Sequence, residues 1–283
     1  MVKLAETLTI SSEGTQLREN LVARVQGILN TEWPKEAKVE PFGSFASGLG
    51  TDSSDLDLII LPALHDHDQE LLAPGRYQDL FVLKTLFLRY SMKDVEVIPG
   101  TRIVFLRFTD HKTSIRVEVN YGHYAGLYNT RLIESYLRID DRVRTFLTII
   151  KAFVRARGIN SSTLGSLSSY CYTLMAISYL QSLADPILPT LQDPHLVPHN
   201  VPHPGPYGSM RYVNVAFTSP RARMFVSLNN LSLGELFIGD FFVVEDPFLL
   251  DFNVAGEVSG FMIGIIRHEF QAALQALRGD RGL

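Results

Sequence analysis

Asp55 and Asp57 alternate with Leu56, Leu58 and Ile60. In an extended strand the side-chain period is two, so both carboxylates share one face and the apolar residues the other. Carboxylates roughly 6–7 Å apart along a strand repel each other unless cations lie between them. Mg2+ relieves that repulsion, because hard cations take oxygen ligands and substrate phosphates together. Two such ions about 3.5–4 Å apart activate an attacking oxygen and neutralise a leaving one. The pattern therefore predicts a divalent-metal site at Asp55 and Asp57, with Mg2+ as the cofactor and Mn2+ as a substitute.

Two further features belong to the same chemistry. Gly43-Ser44 follows a strand-like run and opens a turn, where free N–H groups and the Ser44 hydroxyl suit a triphosphate. Ser54, just before the first aspartate, is placed to help. In the run Ser114-Ile115-Arg116-Val117-Glu118-Val119-Asn120 the isoleucine and valines share one face, and Glu118 is the one acid within it. It is assigned as the third metal ligand, its salt-bridge partners otherwise being Arg116 or Arg107. The glycines after Gly43 make neither a P-loop nor a dinucleotide fingerprint, since no Gly-Lys-Ser/Thr follows and the spacing is wrong.

The elements that must position these residues are legible from periodicity. Leu17, Leu21, Val22, Val25, Ile28 and Leu29 form the stripe of a helix over 15–29, behind the capping candidates Ser11 and Ser12. Short apolar runs at 39–42, 56–61, 95–99, 103–108 and 115–120 predict five strands, interrupted by a helix over 77–92. Helices are predicted over 129–138, 141–157 and 166–183, with further helix at 232–240 and 258–277. The Pro- and His-rich stretch 186–209 is expected to be a loop, and His195, His199 and His203 are read as loop residues. His65-Asp66-His67-Asp68 is read as an exposed loop and not as a metal site. The result is a small α/β unit followed by a helical one, with the first helix expected on the helical side.

Composition bounds the rest. The chain has 283 residues, 46% of them hydrophobic, enough for one large or two smaller domains. A single cysteine, Cys171, excludes an intrachain disulfide and a cysteine-based zinc site. No run of about 18 apolar residues predicts a membrane span, and MVKLAETLTI lacks the features of a secretory leader. A net charge of −4 predicts a weak, local grip on any nucleic acid and a recruiting partner for tight binding.

These motifs resemble the DNA polymerase β-like nucleotidyltransferases, and within them the noncanonical poly(A) polymerases and terminal uridylyltransferases, over nearly the whole chain. Tyr128-Asn129-Thr130 is similar to the family's Asn-Ser/Thr segment, which reads base and ribose. Residues 143–159 resemble the helix whose basic residues, here Lys151 and Arg155, hold the β- and γ-phosphates. Leu164 to Tyr170 looks like Gly-x-Leu-Ser-Ser-Tyr, with Ser169 on phosphate and Tyr170 stacked on the base. Ser232 to Leu236 and Glu245-Asp246-Pro247-Phe248 resemble the region that closes the pocket, adding Asp246 and Phe252 to the nucleotide-binding set. Arg107 is similar to an arginine that reaches uracil or the entering RNA in kinetoplastid mitochondrial enzymes.

The resemblance implies a polymerase β-like domain with a mixed sheet over 31–127. It implies a helical poly(A)-polymerase-associated domain from 1–30 and 128–283, the nucleotide lying in a cleft between them. It also implies a monomeric catalytic unit that adds UMP from UTP to a single-stranded RNA 3′ end and releases pyrophosphate. The rivals are a poly(A) polymerase and a nucleotide-binding subunit without activity. Small kinetoplastid uridylyltransferases of RNA editing are the nearest likeness, which implies a mitochondrial location, and a cytoplasmic one otherwise. Glu118 stands where the family usually has aspartate, Arg155 where lysine is common, and Leu249 and Phe252 where a uracil-selecting acid or histidine is usual.

Overall fold

The computed structural model describes residues 2–33, 36–62, 77–98, 104–161, 165–193, 195–204, 210–218, 225, 227–236 and 260–279. By its internal contacts the chain divides into two compact units. One is Thr9–Glu134 with His195–Ala216; the other is Met1–Leu8 with Ser135–Pro194 and Phe217–Leu283.

A short helix, α1 (Val2–Thr7), precedes the long α2 (Ser12–Glu32). Ser11 caps α2 by accepting the Gly14 N–H, and the Trp33 N–H closes its far end on the Leu29 carbonyl. Then come β1 (Ala37–Phe42), α3 (Gly43–Ala46), β2 (Leu56–Pro62), α4 (Tyr77–Arg89), β3 (Lys93–Ile98), β4 (Phe105–Thr109), β5 (Arg116–Tyr121) and α5 (Tyr124–Leu137). The five strands form one mixed sheet in the order β1-β2-β5-β4-β3, in which only β2 and β5 run parallel. The mixed sheet and every strand of the sequence reading are present.

Alternation along the strands divides the sheet's two faces. Leu56, Leu58, Ile60, Leu106, Phe108, Val117 and Val119 form one core with Leu21, Val25, Ile28 and Leu29 of α2 and with Leu80, Leu83, Leu86 and Phe87 of α4. The intervening residues Asp57, Arg107, Glu118 and Asn120 therefore share the opposite face. The first long helix thus belongs to the sheet's core and not to the helical part, because its Leu21-Val25-Ile28 stripe meets the apolar face of the central strands. Leu17, expected on that stripe, is exposed, and Arg18 is buried beside it.

A second correction concerns the Pro-rich stretch. Residues 200–214 contain a hairpin of β6 (Asn200–Pro204) and β7 (Met210–Asn214), not a loop throughout. Pro202 and Pro204 are two apart, so their missing N–H groups fall on one edge, which a two-stranded ladder tolerates. His203, read as a loop residue, is buried in β6, with its ring 6.4 Å from that of His123.

The other unit is helical: α1, α6 (Asp141–Ala156), α7 (Ser169–Ser182), α8 (Leu233–Leu236) and α9 (Gly260–Gly279). Val143, Phe146, Leu147, Ile150 and Val154 make the buried face of α6, and α7 is buried from Cys171 to Ile177. Phe270 of α9 meets Phe153 and Tyr172, with ring centroids 5.0 and 6.2 Å apart. Asp140 caps α6 and pairs with Arg142, which donates to the Asn229 and Leu231 carbonyls. Among the described residues no helix is long and apolar enough to cross a membrane.

Candidate active site

The site begins where β1 ends. Gly43 has φ +67°, in the left-handed region, and a Cβ there would lie 2.2 Å from Asp57 Oδ2. Both facts demand glycine. Its N–H donates to Thr130 Oγ1 (2.9 Å), whose hydroxyl donates to the Gly126 carbonyl (2.9 Å). Thr130 is buried, so this hydroxyl braces the glycine turn from α5, where the resemblance implied contact with nucleotide. Ser44 follows, half-buried, in the first turn of α3.

The turn before β2 is equally organised. Ser54 Oγ accepts the Thr51 N–H (3.0 Å) and shares a hydrogen bond with Thr51 Oγ1 (3.1 Å). Asp55 follows, half-buried, with its carboxylate 4.0 Å from Arg116 Nη1. Asp57 is the register partner of Phe42 on one side and of Glu118 on the other. Parallel neighbours in register point the same way, so Asp57 and Glu118 share a face, and Asp55 joins them one pleat away.

The Glu118 carboxylate is engaged elsewhere: Oε1 accepts from Arg107 Nε (3.2 Å) and Nη2 (2.7 Å). Among the described residues no three His, Cys, Asp or Glu side chains stand close enough to hold an ion as they are. The backbone places the third acid beside Asp57, while Arg107 holds its head group. Arg107, within the predicted strand 103–108, is inside β4 and directly opposite Glu118. The donors are all carboxylate oxygens, which suits a hard divalent cation.

The other described candidates are Asn129, in the same unit as the sheet, and Lys151, Arg155, Ser169 and Tyr170 in the helical unit. Asn129 sits in α5, and Lys151 and Arg155 are one turn apart on α6. Ser169 and Tyr170 begin α7, where Ser168 caps the helix and Ser169 Oγ accepts from Asn160 Nδ2 (3.1 Å). Asp246 and Phe252 lie outside the described residues, as do Glu245, Pro247, Phe248, Leu249 and the His65–Asp68 stretch.

Sequence reasoning missed Arg18 and Asp52. Both Asp52 Oδ1 contacts come from Ser11, through N and Oγ, at 3.0 Å each. Arg18 Nη2 donates to the Asp52 and Ser54 carbonyls. The available signal was an arginine on the Leu21-Val25 stripe, where solvent-facing charge is out of place.

Residues 1–138 match the family described as poly(A) RNA polymerase, mitochondrial-like, central palm domain. The chain is similar in this part to a poly(A) polymerase palm domain. It is 30% identical over 206 residues to poly(A) RNA polymerase GLD2 of Xenopus tropicalis, covering 72% of this chain and 37% of that protein. It is 29% identical over 239 residues to GLD2 of Danio rerio, covering 81% of this chain and 44% of that one. The chain thus spans less than half the length of these curated relatives. A solved cytoplasmic RNA terminal U-transferase superposes with a TM-score of 0.81 at 23% identity, covering 98% of this chain and 92% of that one. Cid1 bound to its short product ApU gives 0.80 at 22% identity, with the same coverage. These likenesses settle the fold around the palm domain. The curated relatives are named poly(A) RNA polymerases and the solved neighbours share the fold; neither supports the kinetoplastid subgroup favoured by the sequence.

Proposed function

We propose that the chain is a template-independent RNA 3′-terminal nucleotidyltransferase that transfers UMP from UTP and releases pyrophosphate. The observation that carries this reading is the register of Asp57 with Glu118, on the face that also holds Asp55, beside a turn where Asp57 leaves room only for glycine. Asp55, Asp57 and Glu118 would hold the divalent metal, as expected for Mg2+. Bound there, it supplies charge neutralisation for the attacking 3′-oxygen and the departing pyrophosphate. Solved Cid1 with MgATP is a fold neighbour bound to a magnesium nucleotide, which supports that ligand class.

The chain's own residues do the remaining work. The Gly43 turn, braced by Thr130, offers the Ser44 hydroxyl and N–H groups to the triphosphate. Ser54 fixes the turn that delivers Asp55. Lys151 and Arg155 offset charge on the β- and γ-phosphates, Ser169 adds a hydroxyl, and Tyr170 presents a ring to the base. Asn129 supplies an amide for a uracil carbonyl, and Asp246 and Phe252 complete the nucleotide set. With a net charge of −4 the chain needs a partner protein to hold RNA tightly.

Adenylate addition is the second reading, favoured by the curated relatives, which are named poly(A) RNA polymerases. The test is incubation of the protein and a short RNA with Mg2+ and each triphosphate separately. A ladder with UTP alone supports uridylyl transfer, and a ladder with ATP alone replaces it by the second reading. Retained nucleotide binding without any ladder overturns both.

A further inference from the structure

We infer that Arg18 is a positioning residue for the catalytic carboxylates: a buried guanidinium in α2 that sets the backbone of the turn presenting Asp55. The inference rests on the proposed activity of that site and names a determinant outside it.

Arg18 is 2% exposed, the largest fully buried side chain among the described residues. Such burial of a guanidinium is costly unless its donors and charge are met. Nη1 donates to the Gly14 carbonyl (3.1 Å), one turn back along α2. Nη2 donates to two carbonyls of the catalytic turn, Asp52 (2.9 Å) and Ser54 (2.6 Å). Burial lowers its pKa from the ordinary value, and the nearby carboxylates of Asp52 and Asp55 pull in the opposite direction.

The geometry turns this into a positioning device. The Ser54 carbonyl belongs to the peptide that joins Ser54 to Asp55, so a donor on it fixes the plane from which Asp55 departs. The Asp52 carbonyl, bound by the same nitrogen, fixes the turn two residues earlier. The Asp52 side chain is tied independently, since Oδ1 accepts the Ser11 N–H and hydroxyl. A Cβ on Gly14 would lie 2.1 Å from that same Oδ1, so α2 approaches the turn as closely as glycine allows. The start of α2 therefore grips the turn by main chain and side chain, and β2 begins at the next residue after Asp55. A lysine has one nitrogen on a flexible stem, whereas the planar guanidinium spans Gly14 on one side and the turn on the other.

The discriminating variants are Arg18→Lys, which keeps the charge, and Leu21→Ala, which loosens the same helix without touching the turn. Each is measured below its melting temperature for kcat, for nucleotide KM, and for Mn2+ binding by electron paramagnetic resonance. Arg18→Lys is expected to lower kcat by about tenfold to a hundredfold, the scale of an ångström-sized misplacement. Nucleotide KM is expected to stay nearly unchanged, and Mn2+ to bind more weakly. Leu21→Ala is expected to lower the melting temperature while keeping kcat and Mn2+ affinity. Wild-type kcat and Mn2+ affinity in Arg18→Lys overturn the inference, as does an equal fall of both in Leu21→Ala. Should the wild-type protein turn over no nucleotide, the proposed activity fails separately. Mn2+ binding then decides for Arg18: weakening confined to Arg18→Lys supports the inference, and equal binding in the two variants overturns it.

Discussion

Arg107 and Glu118 stand directly opposite each other across the β4–β5 ladder, and two guanidinium nitrogens converge on Glu118 Oε1. On its other side Glu118 has Asp57 as register partner. One carboxylate is thus shared between a resident cation and the aspartate pair that would hold a metal. Replacing Arg107 by methionine removes the competitor, so the Mg2+ concentration giving half-maximal incorporation should fall. The pair is partly exposed and contributes about 1 kcal/mol or less, so the fall should be about fivefold or less. Mn2+ affinity, read without RNA, should rise in parallel. A higher Mg2+ requirement in Arg107→Met would mean that the arginine orients Glu118 and does not compete for it.

Gly43→Ala should cost activity out of proportion to stability. The left-handed conformation costs a non-glycine residue roughly 1–2 kcal/mol, and the new methyl group would press on Asp57 Oδ2. Relief requires moving the aspartate or the turn, either of which separates the triphosphate donors from the carboxylates. We expect kcat to fall by at least about tenfold, corresponding to about 1.4 kcal/mol in the barrier, while the protein stays folded by circular dichroism. Wild-type turnover in this variant would remove Asp57 from the chemistry.

The residues that carry these predictions differ in how legible they were. Asp55, Asp57 and Glu118 stood out because each is an acid inside an apolar alternation, a pattern that fixes strand, face and neighbourhood together. The five strands followed from the same signal. Arg18 was overlooked for the opposite reason: charge ordinarily marks the solvent face of a helix, so its place on the apolar stripe was passed over, and only the fold reveals which carbonyls meet its guanidinium. Thr130 was read through a family motif as a nucleotide contact, and that motif carried no sign that its hydroxyl also braces the N–H of a residue 87 positions away. The β6–β7 hairpin was hidden by prolines, which exclude a central strand but not a strand in a two-stranded ladder.

Tyr170→Ala should act mainly on nucleotide binding. Tyr170 lies in the first turn of α7 and is only half-buried, whereas Tyr172 two residues on is fully buried and donates to the Ile159 carbonyl. Base stacking on an aromatic ring contributes on the order of 1–3 kcal/mol. Nucleotide KM should therefore rise about five- to hundredfold with kcat changed much less. Steady-state kinetics over a range of UTP concentrations separates the two. An unchanged KM accompanied by a lower melting temperature would make the ring a packing element only.

His123 should make folding stability depend on pH in a window where most proteins are indifferent. Its ring is buried against His203, and burial followed by the neighbouring histidine lowers its pKa from 6.5 to about 4. Between those values the unfolded chain binds a proton that the folded chain refuses. Stability from this group is therefore complete above about pH 6.5 and declines as pH falls towards 4. From neutral pH to about pH 5 the loss attributable to His123 is about 2 kcal/mol, at 1.36 kcal/mol per pH unit below 6.5. His123→Gln cannot take up that proton, so its urea midpoint should move less over the same interval, by an amount equivalent to that difference. Measuring both proteins at about pH 7.5 and pH 5 cancels the groups they share. Parallel midpoints would place the acid sensitivity elsewhere, in carboxylates such as Asp110, whose pKa is lowered in spite of burial by Thr113 and Arg24 and which therefore yields only in stronger acid.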